Sequence, residues 1–162
     1  MILNALIVGA VTLSRLVELP IARANTRRLL ASGGREVAAG HYPLIVALHA
    51  GWLVTLWLLA LDRPINVPAL LAFGLAECGR FWVLRTMGKR WTTRIIVVPG
   101  ETLVARGPYK LVKHPNYAVV TAEIALLPLV FGLWQVALIF SLLNAAILTV
   151  RIREEDRALR TA

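Results

Sequence analysis

Five apolar runs divide this chain, over residues 2–21, 43–61, 65–84, 115–131 and 134–150. Each is close to the roughly 20 residues that a helix needs to cross a bilayer. The pattern predicts an all-α integral membrane protein with about five transmembrane helices, in one domain over 1–162. Run one carries Asn4, Arg15 and Glu18. At 100° per residue, Arg15 falls about 20° from Asn4 and Glu18 about 60° from Arg15. The three make one stripe, and charges at this depth face protein or water rather than lipid. An Arg15–Glu18 ion pair on adjacent turns, bundle glue and end-of-helix snorkelling remain alternatives. Run two holds one ionisable residue, His49, with no His, Cys or carboxylate three or four positions away to share a metal. It reads as a hydrogen-bonded packing residue or as a polar helper in a site. In run three, Glu77 and Arg80 are three apart and suit a pair on one face. Arg80 is also near enough to Arg85 to snorkel, and Cys78 reads as a small core residue.

The connecting segments are polar and punctuated by Gly and Pro. The basic stretch 23–41 predicts an amphipathic surface helix over 24–31, then a turn at Gly33-Gly34. Residues 91–98 are β-branched without helical period and end at Pro99-Gly100, so they read as extended. A second extended piece over 101–105 would complete a small hairpin. Pro115 suits the first position of a helix, with His114 as its cap. Pro128 kinks the far end of run four. The tight turn at Gly132-Leu133 makes runs four and five an antiparallel helical hairpin.

Composition sharpens this picture. Of the 162 residues, 58% are hydrophobic, and the mean hydropathy is +0.69, beyond an ordinary soluble domain. The formal charge is +9, from 18 Lys+Arg against 9 Asp+Glu. Fifteen of those eighteen cations lie in 23–42, 85–116 and 151–162, which share one side if there are five spans. That favours contact with an anionic membrane surface over nucleic acid. The positive-inside rule puts these segments in the cytoplasm and the N-terminus outside, in a bacterial inner membrane. One cysteine excludes an intramolecular disulfide and any multi-cysteine metal site. No metal is expected. Arg15 interrupts run one, so a cleavable signal peptide is not expected.

Candidate chemistry gathers at the basic end, in 101–117 and 151–156. The first segment is the longest without a membrane-like run, and it reads as most of a cofactor pocket. In the second, Asn144, Arg151 and Glu155 are spaced 7 and 4 and share a helix face. Asn116, Val120 and Glu123 do the same on run four. An arginine and a carboxylate one turn apart can hold ligand groups of opposite charge. The free N–H groups opening run four suit a carboxylate. The alternative is that RIREEDR is a solvated tail with i,i+4 salt bridges.

GPYKLVKHPNY, an apolar hairpin and then RIREED resemble the isoprenylcysteine carboxyl methyltransferase family, whose pattern is shared more broadly by phospholipid methyltransferases. The family pattern is a basic residue before His-Pro-x-Tyr, then a Glu-Glu pair ending the last span. Here these are Lys113, in place of the usual arginine, with His114-Pro115-Asn116-Tyr117, and Glu154-Glu155. The match is most specific over residues 101–156. The first hundred residues, notably RLVELPIARANTRRLLASGGREVAAGHYPLIVALH and WTTRIIVVPG, resemble a bacterial subgroup linked to type III polyketide synthases. Its members methylate alkylpyrone or alkylresorcinol lipids.

The resemblance implies a membrane enzyme that uses S-adenosylmethionine, with the cofactor wrapped between the loop before the fourth helix and the C-terminal segment. Cofactor contacts would fall on Glu101, Thr102, Leu103, Val104, Tyr109, His114, Pro115, Asn116, Tyr117 and Glu155. Arg151 would anchor an acceptor entering from the bilayer, with Asn144 and Glu77 as further acceptor contacts. Candidate helpers for the transfer are Arg151, Glu123, His49 and Glu77. The expected reaction is methyl transfer to an oxygen of an alkylpyrone or alkylresorcinol. The alternatives are carboxyl methylation of a prenylcysteine-like substrate, phospholipid N-methylation, and a non-enzymatic membrane scaffold or small transporter.

Overall fold

A computed structural model describes residues 1–160. Among the described residues there are five α-helices: α1 (Ile2–Ala31), α2 (Tyr42–Leu59), α3 (Val67–Met87), α4 (Pro115–Val130) and α5 (Trp134–Arg160). Two short strands, β1 (Arg35–Val37) and β2 (Ile95–Val97), lie between them. Helices α1, α2, α3 and α5 are long and apolar enough to cross a membrane. The fifth, α4, has 16 residues, about 24 Å at 1.5 Å per residue. It is the shortest of the five expected spans. The protein is an all-α integral membrane protein.

The bundle is inside-out relative to a soluble domain only on its outer face. Val8, Leu48, Trp52, Leu56, Phe73, Ile124, Leu127 and Phe131 pack into one buried core. Leu13, Val17, Leu58, Leu71, Leu75, Phe81 and Leu142 point outward and stay exposed. A bilayer is the solvent that matches such a surface. Gly79 lets α3 approach α4 closely, since a Cβ there would lie 3.2 Å from Val119 Cγ2.

α1 does not stop near Ile21. It continues through Pro20 to Ala31, so 24–31 is its last part rather than a separate surface helix. Tertiary packing supports the extension. Ala22, Asn25 and Leu29 are buried, and Asn25 Nδ2 donates to the carbonyls of Gly88 (3.2 Å) and Trp91 (2.8 Å). Asn4 does the equivalent at the other end of the helix, donating to Ala60 O at 2.7 Å and Arg63 O at 2.8 Å. Two buried amides thus tie α1 to the turns that follow α2 and α3, through the backbone carbonyls of those turns.

The polar stripe of α1 also finds partners. Arg15 Nη1 bonds Glu18 Oε1 at 3.1 Å, as the spacing predicts. Glu77 and Arg80, however, do not pair with each other. Arg15 Nη2 reaches Glu77 Oε1 at 2.8 Å and Glu123 Oε1 at 3.3 Å. Arg80 is buried instead of snorkelling. It donates from Nε to Glu18 at 2.7 Å, from Nη2 to the other Glu18 oxygen, and from Nη1 to Glu123 Oε2 at 3.0 Å. Crossed pairing joins α1, α3 and α4, whereas pairing along one helix would join nothing. Cys78 is exposed, not in the core as expected. It stands about 200° round α3 from Arg80, on the outer side.

Residues 95–97 are extended as predicted, but their partner is different. β2 pairs antiparallel with β1, in the register Arg35↔Val97, Glu36↔Ile96, Val37↔Ile95. Residues 101–105 form no strand. The reason is burial: Ile95 and Val97 pack with Val37, Ala158 and Leu159, while Glu101, Thr102 and Leu103 are exposed and have no apolar face to offer.

Candidate functional site

The C-terminal ends of α1, α3 and α5 and the N-terminal ends of α2 and α4 lie together at the basic end of the bundle. Two local features position α4 there. Gly107 takes φ +57°, and a Cβ on it would sit 2.6 Å from Thr86 Oγ1. Only glycine fits both the dihedral and the space. It starts a 3-10 turn, Gly107–Lys110, whose Pro108 is buried and which packs on α3. Pro115 then opens α4 at its first turn, with His114 at the N-cap position. The His114 side chain makes no capping bond, because it turns toward α5.

The gathering at this mouth involves α4, α5 and the segment before β2. His114 stacks on Tyr117, with ring centroids 5.3 Å apart and 18° between planes. His114 Nε2 lies 3.2 Å from Asp156 Oδ1, which also receives Lys113 Nζ at 2.8 Å. Tyr117 donates its hydroxyl to Glu155. Arg151 Nε donates to that same hydroxyl oxygen at 2.9 Å, and Arg151 Nη2 donates to Thr93 O at 2.8 Å. The tail is therefore not simply solvated: Arg151 is buried, and Glu155 and Asp156 are half-buried. Tyr109 is near enough to feel this cluster. Burial, and then the negative charge of Glu155, push its phenol up to about 12.

The structure thus brings together His114, Tyr117, Arg151 and Glu155, with Tyr109 alongside and Pro115 buried beneath. Asn116 is half-buried on the first turn of α4. Other expected residues stand apart. Glu101 pairs with Arg90, whose Nη1 also donates to Thr102 O at 2.7 Å. Leu103 is exposed and Val104 half-buried. His49 Nδ1 bonds its own helix at Ile45 O, 2.9 Å. Glu123 and Glu77 belong to the interhelical ion cluster deeper in the bundle. Asn144 is buried on the Arg151 face of α5, with Thr121 Oγ1 at 3.5 Å.

Sequence reasoning missed Thr93, whose carbonyl fixes Arg151, and the Lys113–Asp156 contact. No spacing rule predicts the first. The second had a signal, since the basic residue before His-Pro and the acid after Glu-Glu both flank the recognised motif. Among the described residues, no group of three or more His, Cys, Asp or Glu is arranged to hold a metal ion.

The donor set suits a zwitterionic, sulfonium-bearing cofactor. Glu155 offers a carboxylate to cationic groups, and the positive end of α4, with the Asn116 N–H at its first turn, suits a carboxylate.

A model of the isoprenylcysteine carboxyl methyltransferase family matches residues 69–161. Among curated proteins, the uncharacterized protein YpbQ of Bacillus subtilis (strain 168) is 37% identical over 163 residues, covering 96% of this chain and 95% of that protein. No solved structure matches the chain.

Proposed function

This chain belongs to the isoprenylcysteine carboxyl methyltransferase family, a family of membrane methyltransferases, and from that premise we propose that it transfers a methyl group from S-adenosylmethionine to an oxygen of a lipid-like acceptor. The acceptor class we favour is an alkylpyrone or alkylresorcinol, supplied by a type III polyketide synthase. The observation that supports the reading is the connected set His114–Tyr117–Arg151–Glu155, contributed by two helices to one mouth.

When bound, the cofactor would supply an activated methyl on its sulfonium. The residues to hold it are Glu155, Tyr117, His114 and Tyr109. Everything else required is positioning and exclusion of water. Arg151 is held by two hydrogen bonds, from Nε and Nη2. Its Nη1 has no partner shown among the described residues and is free to face an acceptor oxygen. A buried guanidinium lowers the energy of an oxyanion and raises that of a protonated amine. This favours oxygen over a phospholipid nitrogen as the methylated atom. A 4-hydroxypyrone is acidic enough to need little further help. A resorcinol, with a phenol-like pKa near 10, gains more from Arg151.

The positive-inside bias supports a cytoplasmic position for this mouth and the C-terminal segment, in a bacterial inner membrane. The N-terminus is then outside.

Calorimetric titration of the purified protein with S-adenosylmethionine and S-adenosylhomocysteine tests the cofactor assignment. Glu155→Ala and His114→Ala are each expected to weaken binding at least tenfold, about 1.4 kcal/mol. Unchanged binding in both would sink the site assignment, and no binding by the parent protein would sink the reading as a whole. Methyl transfer across alkylpyrones, alkylresorcinols and prenylcysteine analogues then identifies the acceptor. Transfer to prenylcysteine alone would overturn the polyketide class.

A further inference from the structure

A recess with a basic rim lies at the same end of the bundle, on the α1 side. Pro20, Arg23, Thr26 and Arg27 of α1, Tyr42 at the start of α2, and Thr93 and Arg94 before β2 enclose about 540 Å³. Three arginines and three hydroxyls converge there, against one nearby carboxylate. That carboxylate, Glu36, receives Arg94 Nη1 at 2.6 Å. Arg94 also lies 4.2 Å over the Tyr42 ring, so two neighbours hold its guanidinium in place. Tyr42 in turn bonds Thr93 through their hydroxyls at 3.2 Å. Arg23 and Arg27 stand one turn apart on α1, exposed, and neither has an acidic partner shown among the described residues. Two positive charges are left without neutralisation beside a preorganised arginine and three neutral donors.

The depth of the recess indicates where a ligand would come from. Leu16 and Leu13, one and two turns before Pro20 on the same side of α1, are exposed apolar residues. The lining begins at Pro20. A molecule with hydrocarbon chains along α1 and an anionic head above them would meet matching surfaces in that order.

We propose that this recess binds the phosphate of an anionic membrane lipid, with Arg23, Arg27 and Arg94 as its charged contacts. Forked guanidinium donors fit phosphate oxygens, and the volume admits a phosphate with a glycerol-sized substituent. Thr93 lines this recess with its side chain and holds Arg151 with its carbonyl. The lipid would therefore sit directly behind the residue that fixes Arg151. The binding itself is independent of any methyl transfer and is read without it.

Native mass spectrometry of the purified protein, titrated with phosphatidic acid, phosphatidylglycerol, phosphatidylcholine and soluble glycerol 3-phosphate, tests the proposal. Both anionic lipids are expected to bind at least tenfold more tightly than phosphatidylcholine. The exposed-site variant Arg23→Gln/Arg27→Gln should abolish most of that preference. Arg28→Gln, on the same helix but outside the lining, should retain it. Equal loss in Arg28→Gln would reduce the effect to general surface attraction and overturn the site. No preference among the lipids would do the same. Glycerol 3-phosphate binding as tightly as phosphatidic acid would overturn the membrane source of the ligand.

Discussion

Replacing Arg80 by methionine tests whether the buried ion cluster holds the bundle together. Methionine keeps much of the aliphatic stem and removes only the guanidinium. The cluster contains two arginines (Arg15, Arg80) and three carboxylates (Glu18, Glu77, Glu123). The side chains of Arg80, Glu18 and Glu123 are only 10%, 12% and 4% exposed. Without Arg80, Glu18 loses a two-pronged partner, Glu123 loses its 3.0 Å partner, and Arg15 alone faces three acids. Breaking a buried pair by removing one side costs about 3–5 kcal/mol. Glu77→Gln is the contrasting change. Its one arginine partner is Arg15, at 2.8 Å, and its loss leaves two acids for two arginines. It should cost less than Arg80→Met, because it leaves no excess acid in the cluster. Adding Glu18→Gln to Arg80→Met removes one of the excess acids and should recover about 1 kcal/mol or more. Tryptophan fluorescence during reversible unfolding in mixed micelles measures all three, since the chain has five tryptophans. The reasoning fails if Arg80→Met costs no more than Glu77→Gln, or if Glu18→Gln deepens the loss.

Asn25→Ala removes both bonds to the Gly88 and Trp91 carbonyls, and should cost about 1–3 kcal/mol, seen as faster amide exchange around 88–91. Unchanged exchange would mean that the amide is not what ties α1 to that turn. Gly107→Ala meets both a positive φ and the Thr86 contact. It should weaken cofactor binding by displacing the turn before His114, and retained affinity would show that the turn does not set the site. Burial, and then the charge of Glu155, push the Tyr109 phenol up to about 12. Folding therefore favours its neutral form, and that contribution is complete below the unfolded phenol value near 10 and lost as pH rises toward 12. Ultraviolet difference titration against Tyr109→Phe should show this, with an earlier transition in Glu155→Gln. An unshifted transition in that variant would separate Tyr109 from Glu155.

Membrane helices, their number and the basic end of the bundle are legible in the sequence, because hydropathy and charge act residue by residue against the bilayer and its surface. Spacing on one helix also brought Arg151 and Glu155 to a common face, and the Arg15–Glu18 pair followed from i,i+3 geometry. Three kinds of feature were not legible. The partner of β2 was misplaced, because strand pairing depends on which face Val37 and Ala158 make available. Arg80 and Glu77 were matched to each other, because one-helix geometry says nothing about the acids that neighbouring helices present. The clamp on Arg151 by Thr93 is a backbone contact, and a carbonyl leaves no mark in side-chain pattern.

The sequence alone thus determined a membrane bundle with one basic, chemically equipped end. Only the tertiary structure decided which charges meet. Hydrophobic burial is additive and local, so pattern reveals it. Ion pairs and hydrogen bonds between helices are directional and depend on rotation and depth, and these are settled only when α1, α3, α4 and α5 pack together.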